Sequence, residues 1–156
     1  MQTVQRTGSV EVSTTAAPQA VWAVLTDVAR VGEWSHEAHG GEWFDGAEGP
    51  AVGSRFRARN RSGRTRWTRT CEVTTSRTDT YFGWRTLPTR RYRDSTSWRV
   101  DLVPAENGTR IVQRSDVLQI SPVVAALYAT VVPGHRDRTE ALRADLARLA
   151  TLAESI

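Results

Sequence analysis

Three side chains that could do acid–base or metal chemistry stand close together at His36, Glu37 and His39. Two histidines near a glutamate can hold zinc when they lie four residues apart on one helix, because both then face the metal. Here they lie three apart, and the stretch runs into Gly40 and Gly41. We therefore expect no metal site, and no cofactor is implied elsewhere. His36 can still relay a proton near neutral pH, and the alternative is a solvated loop histidine.

Aromatic side chains form a second group, which could act by stacking against a flat molecule. The three tryptophans at 67, 84 and 98 fall on predicted strands that should be neighbours, and two phenylalanines share their predicted inner face. Core packing explains any one of these rings alone. A group of flat rings against one helix leaves a slot, so we expect a ligand pocket. Its expected wall is Phe56, Trp67, Phe82, Trp84, Trp98 and Tyr128.

Three polar side chains join this inner face if the strands alternate without a bulge: Asn60, Arg69 and Arg114. Polar groups in such a place need partners. Those partners are each other, Asp116, or a hydroxyl or carboxylate of a ligand. The three complete the set of expected ligand-binding residues. No serine, histidine and acid can be grouped into a triad by sequence, so no catalytic residue is assigned.

Composition indicates one globular domain spanning residues 1–156. Hydrophobic residues make up 39% of the chain and charged residues 24%, which is ordinary for a folded domain. The longest apolar run, Val123–Val132, is too short to cross a bilayer, and the first residues lack the pattern of an export signal. We expect a cytoplasmic protein without membrane insertion, and a homodimer is left open.

Arginine supplies all 21 basic side chains, and 13 of them fall between Arg55 and Arg99. On a strand, Arg55, Arg57 and Arg59 point to one side, which is typical of the solvated face of a half-buried sheet. No motif for base stacking or groove reading accompanies them, so nucleic-acid binding is not expected. The lone Cys71 excludes an intramolecular disulfide, and its phase in the strand favours a buried structural thiol.

The order of predicted elements is a strand, two short helical turns, six strands and a long C-terminal helix. Val21, Trp22, Leu25 and Val28 recur at helical spacing after the first strand, and Gly32 ends the segment. Alternation and turn residues predict the strands. They lie at Val4–Thr14, from Glu42–Phe44, and at Ser54–Arg61, Thr65–Thr75, Tyr81–Thr86, Thr96–Val103 and Thr109–Val117.

The last helix is predicted from Ser121 to Ile156, with a break or kink at Pro133-Gly134. Beyond the kink, Leu142, Leu146, Leu149 and Ala153 form one apolar stripe, with Asp145 and other charged residues mainly off it. His135 is expected at the surface where the second half begins. The segment Ala129–Asp137 is expected to border a cavity opening.

This order resembles the helix-grip fold of the START-like (SRPBCC) superfamily, over nearly the whole chain. Local stretches resemble its polyketide cyclase/dehydrase and lipid-transport branch. They are Asp27–Trp34 (DVARVGEW), Ser35 with Glu37, Trp43–Gly46 (WFDG), Gly53–Arg61 (GSRFRARNR), Trp67–Val73 (WTRTCEV), Phe82–Trp84 (FGW), Trp98 and Gly108–Ile111 (GTRI). His36 departs from the resemblance, since the family usually has proline there.

The resemblance implies an α+β fold in which a seven-stranded antiparallel sheet wraps around the long C-terminal helix. It also implies a hydrophobic cavity for a lipid, polyketide or other aromatic molecule. We therefore expect a binding or carrier protein for a hydrophobic small molecule. One alternative is a polyketide aromatase, cyclase or dehydratase that uses Asn60, Arg69, Arg114 or His36. Another is a partner-binding module with a collapsed cavity and a docking face of arginines.

Overall fold

The computed structural model describes residues 2–156 and has, within that range, a seven-stranded antiparallel sheet and three α-helices. The strands lie in the order β1-β7-β6-β5-β4-β3-β2. Their bounds are β1 Thr7–Thr14, β2 Ala38–Phe44, β3 Arg55–Ser62, β4 Thr65–Arg77, β5 Tyr81–Thr86, β6 Ser95–Ala105 and β7 Gly108–Gln119. The helices are α1 Pro18–Leu25, α2 Pro122–Val131 and α3 Thr139–Glu154, with 3-10 segments at Val28–Glu33 and Pro133–His135.

This architecture confirms the predicted helix-grip fold, and the differences lie at element ends. The first strand begins at Thr7 rather than Val4. Val4 is buried against Ala125 and Ala129 of α2 instead of continuing the sheet. The next residue is also used outside the sheet, because the backbone N–H of Gln5 donates to the carbonyl of His135 at 2.8 Å.

The second strand begins at Ala38, earlier than Glu42, and therefore includes His39. Two glycines permit this, because they let the 3-10 segment Val28–Glu33 lie directly on β2. A Cβ at Gly41 would stand 2.6 Å from the carbonyl oxygen of Val28, and one at Gly32 would stand 2.7 Å from that of His39. Any other residue would force the two segments apart at both points.

The main core lies between the sheet and α3, on the stripe that the sequence predicts. Leu146 and Leu149 are fully buried in a cluster that includes Val10 of β1 and Ile111 of β7. Asp145 was predicted to lie off the apolar stripe of α3, but it is buried within that face. Its carboxylate accepts hydrogen bonds from His36, which makes its burial tolerable.

Pro133-Gly134 breaks the C-terminal helix in two, as the sequence predicts. The 3-10 turn Pro133–His135 ends α2, and α3 begins again at Thr139. The two helices contribute to different clusters, since α2 packs with Val4 and Ile120 in a small second core. None of the helices described in residues 2–156 is long and apolar enough to span a membrane.

The arginines of β3 lie on the outer face, as alternation predicts. Cross-strand neighbours hold two of them: Arg55 bonds Glu72 at 3.3 Å, and Arg59 lies 4.0 Å from Glu42. Arg57 lies over the ring of Phe44. The row is therefore partly neutralised.

Replacing Leu146 with alanine is expected to lower the free energy of unfolding by about 2–5 kcal/mol, because a fully buried side chain leaves a cavity. Leu118→Ala removes the same atoms from an exposed site on β7. It should change the free energy of unfolding by under about 0.5 kcal/mol. Urea unfolding measures both. Equal effects of the two variants would contradict the packing of α3 described above.

Candidate ligand-binding site

A cavity of about 440 Å³ lies between the inner face of the sheet and the C-terminal segment. Strands β2 to β7 contribute to its wall, together with α2, α3 and the turn between them. Val131, Val132 and His135 border it at the helix break, within the segment Ala129–Asp137 that was predicted to lie beside the cavity. The break therefore lies at the edge of the cavity.

Aromatic rings form one continuous wall. Trp84 and Trp98 are paired across β5 and β6 and stack with ring centroids 6.4 Å apart and planes 17° apart. Phe82 packs against Trp84 at 5.3 Å, and Phe56 packs against it from β3 at 6.4 Å. All four rings line the cavity; the phenylalanines are buried, whereas the two tryptophans are half-buried. The wall thus presents flat apolar faces to the cavity.

Eight of the nine predicted ligand-binding residues line this cavity: Phe56, Asn60, Trp67, Arg69, Phe82, Trp84, Trp98 and Tyr128. Whether they bind a ligand stays a prediction. The prediction for Arg114 is wrong, because its side chain is 61% exposed and bonds Asp101 on the outer face. Counting by twos from the fully buried Ile111 places Gln113, not Arg114, on the inner face. Gln113 does line the cavity and is buried.

Arg69 points inward, but the protein itself supplies its partners. Its guanidinium donates to Asp94 Oδ2 at 2.8 Å and to the backbone carbonyls of Asp94 and Leu87. The other carboxylate oxygen of Asp94 accepts from the hydroxyl of Tyr128 at 3.0 Å. Burial, with Asp94 nearby, raises the pKa of Tyr128 to about 12, so this hydroxyl stays a donor. The cluster ties α2 to the sheet.

His36 is oriented by a buried carboxylate. Its backbone N–H donates to Asp145 Oδ1 at 2.9 Å, and its ring Nδ1 lies 2.7 Å from Asp145 Oδ2. Arg148 also bonds Asp145 and donates to the carbonyl of Trp34. The hydrogen bond to Asp145 outweighs burial and raises the pKa of His36. His36 lines the cavity with its side chain 32% exposed, whereas His39 is exposed and does not line it.

Glu37 and His135 form a second acid–imidazole pair on the cavity wall. His135 Nε2 lies 2.9 and 3.1 Å from the two carboxylate oxygens, and its ring meets the edge of Trp67. Burial would raise the pKa of Glu37, but the hydrogen bond from His135 and the charge of Arg138 together hold it below its usual value. His135 is buried, which corrects its expected place at the surface.

Sequence reasoning did not place four residues in this site: Glu37, Gln113, Arg138 and Asp145. Gln113 could have been found from the phase of Ile111. The others gave no periodic signal, because their roles depend on contacts between segments about a hundred residues apart in sequence.

We expect the pKa of His36 to lie above the ordinary value of 6.5 and to fall in an Asp145→Asn variant, as measured by NMR titration. Because folding raises this pKa, the pair contributes stability fully below about pH 6.5 and loses it as the pH rises through the folded value. The stability gap between the wild type and His36→Gln should therefore narrow at alkaline pH. A His36 pKa that Asp145→Asn leaves unchanged would contradict this assignment.

Solved structures share this fold at low sequence identity. The aromatase/cyclase Zhui from Streptomyces sp. R1128 is 18% identical, with a TM-score of 0.70 over 96% of this chain and 93% of its own. TTHA0849 from Thermus thermophilus is 15% identical, with a TM-score of 0.71 over 96% and 97%. MLL2253 from Mesorhizobium loti is 19% identical, with a TM-score of 0.67 over 96% and 98%. Among curated proteins, none matches this sequence at a significant level.

A family model described as polyketide cyclase/dehydrase and lipid transport matches residues 3–154. The match spans the sheet, the cavity wall and α3, and it agrees with the motifs from Asp27 to Ile111. The chain therefore belongs to the polyketide cyclase/dehydrase and lipid transport family.

Proposed function

We propose that this protein binds and carries a hydrophobic small molecule, aromatic, polyketide-like or lipid, in the cavity. The observation that carries this proposal is the pair of stacked tryptophans, Trp84 and Trp98, which keep part of their surface toward the cavity. In a well-packed core, such rings would be covered by neighbouring side chains. A volume of about 440 Å³ falls within the range of small-molecule pockets.

The proposed ligand would fit the site through its flat shape and the apolar surface area that it buries. Flat rings gain from offset or edge contacts with other flat rings, in addition to the area that they bury. Phe56 and Phe82 back the tryptophans from inside the core, so the wall is held in place before any ligand binds. A preformed wall reduces the entropy lost on binding.

A Val117→Phe substitution should fill part of the cavity, because Val117 lines it from β7. Leu118→Phe is the matched control, since the next residue on the same strand is exposed on the opposite face. Titration with flavonoid, polyketide and fatty-acid probes should quench tryptophan emission in the wild type. We expect Val117→Phe to lower the affinity for the best-binding probe roughly tenfold or more, while Leu118→Phe leaves that affinity unchanged.

Absence of quenching by every probe class at tens of micromolar would remove the main support for a carrier. An equal loss of affinity in both variants would place the binding outside the cavity.

A second candidate, an aromatase, cyclase or dehydratase, is favoured by one observation: His36 lines the cavity with a buried carboxylate behind it. Asp145 holds Nδ1, which leaves Nε2 as the basic atom of the neutral ring. Such a base could take a proton from a carbon between two carbonyls. The resulting enolate would attack another carbonyl of the chain to close a ring. The imidazolium of His36 would return the proton to the new alkoxide, and the alcohol so formed would leave as water together with a neighbouring hydrogen. Arg69 is already paired and Arg114 lies outside, so neither fits this role.

This candidate predicts that the protein converts a short poly-β-ketone mimic with the loss of one water, detected by mass spectrometry. Replacing His36 with glutamine should lower turnover at least about 100-fold with little change in affinity. His39→Gln is the control, because His39 is exposed and away from the cavity. Binding of the mimic without any product in the wild type would leave the carrier as the remaining function.

The third reading, a partner-binding module, requires a collapsed cavity. The open volume and the partly neutralised arginine row do not support it.

A further inference from the structure

Arg138 is a cation of the cavity wall that forms no ion pair with any acid in residues 2–156. Its guanidinium makes no hydrogen bond or ion pair to any protein group in residues 2–156, although its backbone N–H and carbonyl are both bonded. The side chain is half-buried, and it lines the cavity. Burial lowers the pKa of Arg138 against the attraction of Glu37 and Asp94, yet an arginine keeps its charge. A charge held away from water without a partner is costly.

The acids around the cavity attract the charge of Arg138 but form no ion pair with it, because each is already bonded to another side chain. Glu37 is bonded by His135, and Asp94 is bonded by Arg69 and Tyr128. Asp145 is bonded by His36 and Arg148. Two further arginines of the cavity lining, Arg66 and Arg91, are exposed and form no ion pair within the described residues. The uncompensated charge around the cavity is therefore positive.

The position of Arg138 is fixed by the fold rather than by a counter-ion. Its guanidinium carbon lies 5.4 Å from the centre of the Trp98 ring, within the range of a cation–π contact. Its backbone N–H donates to Gln5 Oε1 at 2.7 Å, and the backbone N–H of Gln5 in turn donates to the carbonyl of His135. The free donors of the guanidinium are thus held beside the aromatic wall.

We propose that Arg138 binds the carboxylate of the ligand, so that the cavity selects hydrophobic acids over neutral molecules of the same shape. This inference rests on the proposed ligand binding and narrows its chemical class. The apolar body of the acid lies along Trp84 and Trp98, and its carboxylate takes the donors of the guanidinium. A planar carboxylate matches the fork of arginine with two parallel hydrogen bonds, which a neutral amide or alcohol does not do. Arg66 and Arg91 favour the approach of an anion to the opening.

The test compares two probes of nearly equal shape, 9-anthracenecarboxylate and its neutral amide, by calorimetric titration at fixed ionic strength. The wild type should bind the carboxylate roughly 10- to 100-fold more tightly than the amide. Arg138→Gln should abolish that preference and change amide affinity less than about threefold. Arg138→Lys should fold with the charge in place and retain a reduced preference, because lysine lacks the fork.

A control variant distinguishes this site from the overall charge of the protein. Arg143→Gln removes the same charge from the solvent face of α3 and should keep the preference for the carboxylate. If Arg143→Gln abolishes the preference, or if Arg138→Gln retains it, the anion is held elsewhere and the inference is overturned.

The two proposals fail in different ways. If the wild type binds the amide as tightly as the carboxylate, the cavity binds ligands but the role of Arg138 is wrong. If neither probe, nor any probe of the tryptophan-quenching series, binds the wild type, both the proposed function and this inference fail.

Discussion

One helix covers only part of a seven-stranded sheet, and the rest of the structure follows from this mismatch. Strands about 4.8 Å apart spread seven strands over roughly 30 Å, whereas a helix with its side chains is about 10 Å wide. The leucine stripe of α3 covers the sheet where Val10 and Ile111 lie. The break at Pro133-Gly134 sends α2 to a separate small core with Val4. Between the two cores, the inner face of β2 to β7 is left partly uncovered, and the cavity lies there.

The same geometry explains why the cavity wall contains so many ionisable groups. Residues at its edge come from β2, from the helix break and from α3, so acids and bases from distant parts of the chain meet there. Each acid is matched by a histidine, an arginine or a tyrosine, as groups withdrawn from water require. Buried pairs of this kind contribute little net stability, but they fix the positions of the side chains involved. Arg138 differs from these groups, because its guanidinium makes no hydrogen bond or ion pair within the part of the chain that the structure describes.

Fold alone does not choose between a carrier and an enzyme, because the same architecture supports both kinds of function. The choice depends on a few side chains. The tryptophan wall suits binding of either a cargo or a substrate, whereas the His36–Asp145 contact suits proton transfer. The family match supports the two candidates equally, so the distinction rests on what His36 does.

Hydrophobic periodicity and the turn residues together determined the element order. Periodicity also determined the inward phase of Phe56, Trp67 and Phe82, the outward row of arginines and the leucine stripe of α3. These features are local, because a side chain's face follows from its neighbours along the same strand or helix. The inward position of Gln113 could also have been predicted in this way, from the phase of Ile111 on β7. Only the tertiary structure decided the partners of Arg69, the burial of His135 and Asp145, and the isolation of Arg138. Those facts depend on which distant segments come into contact. The free-energy cost of burying a charge depends on the partners that such contacts supply, and the spacing of residues in the sequence does not reveal them.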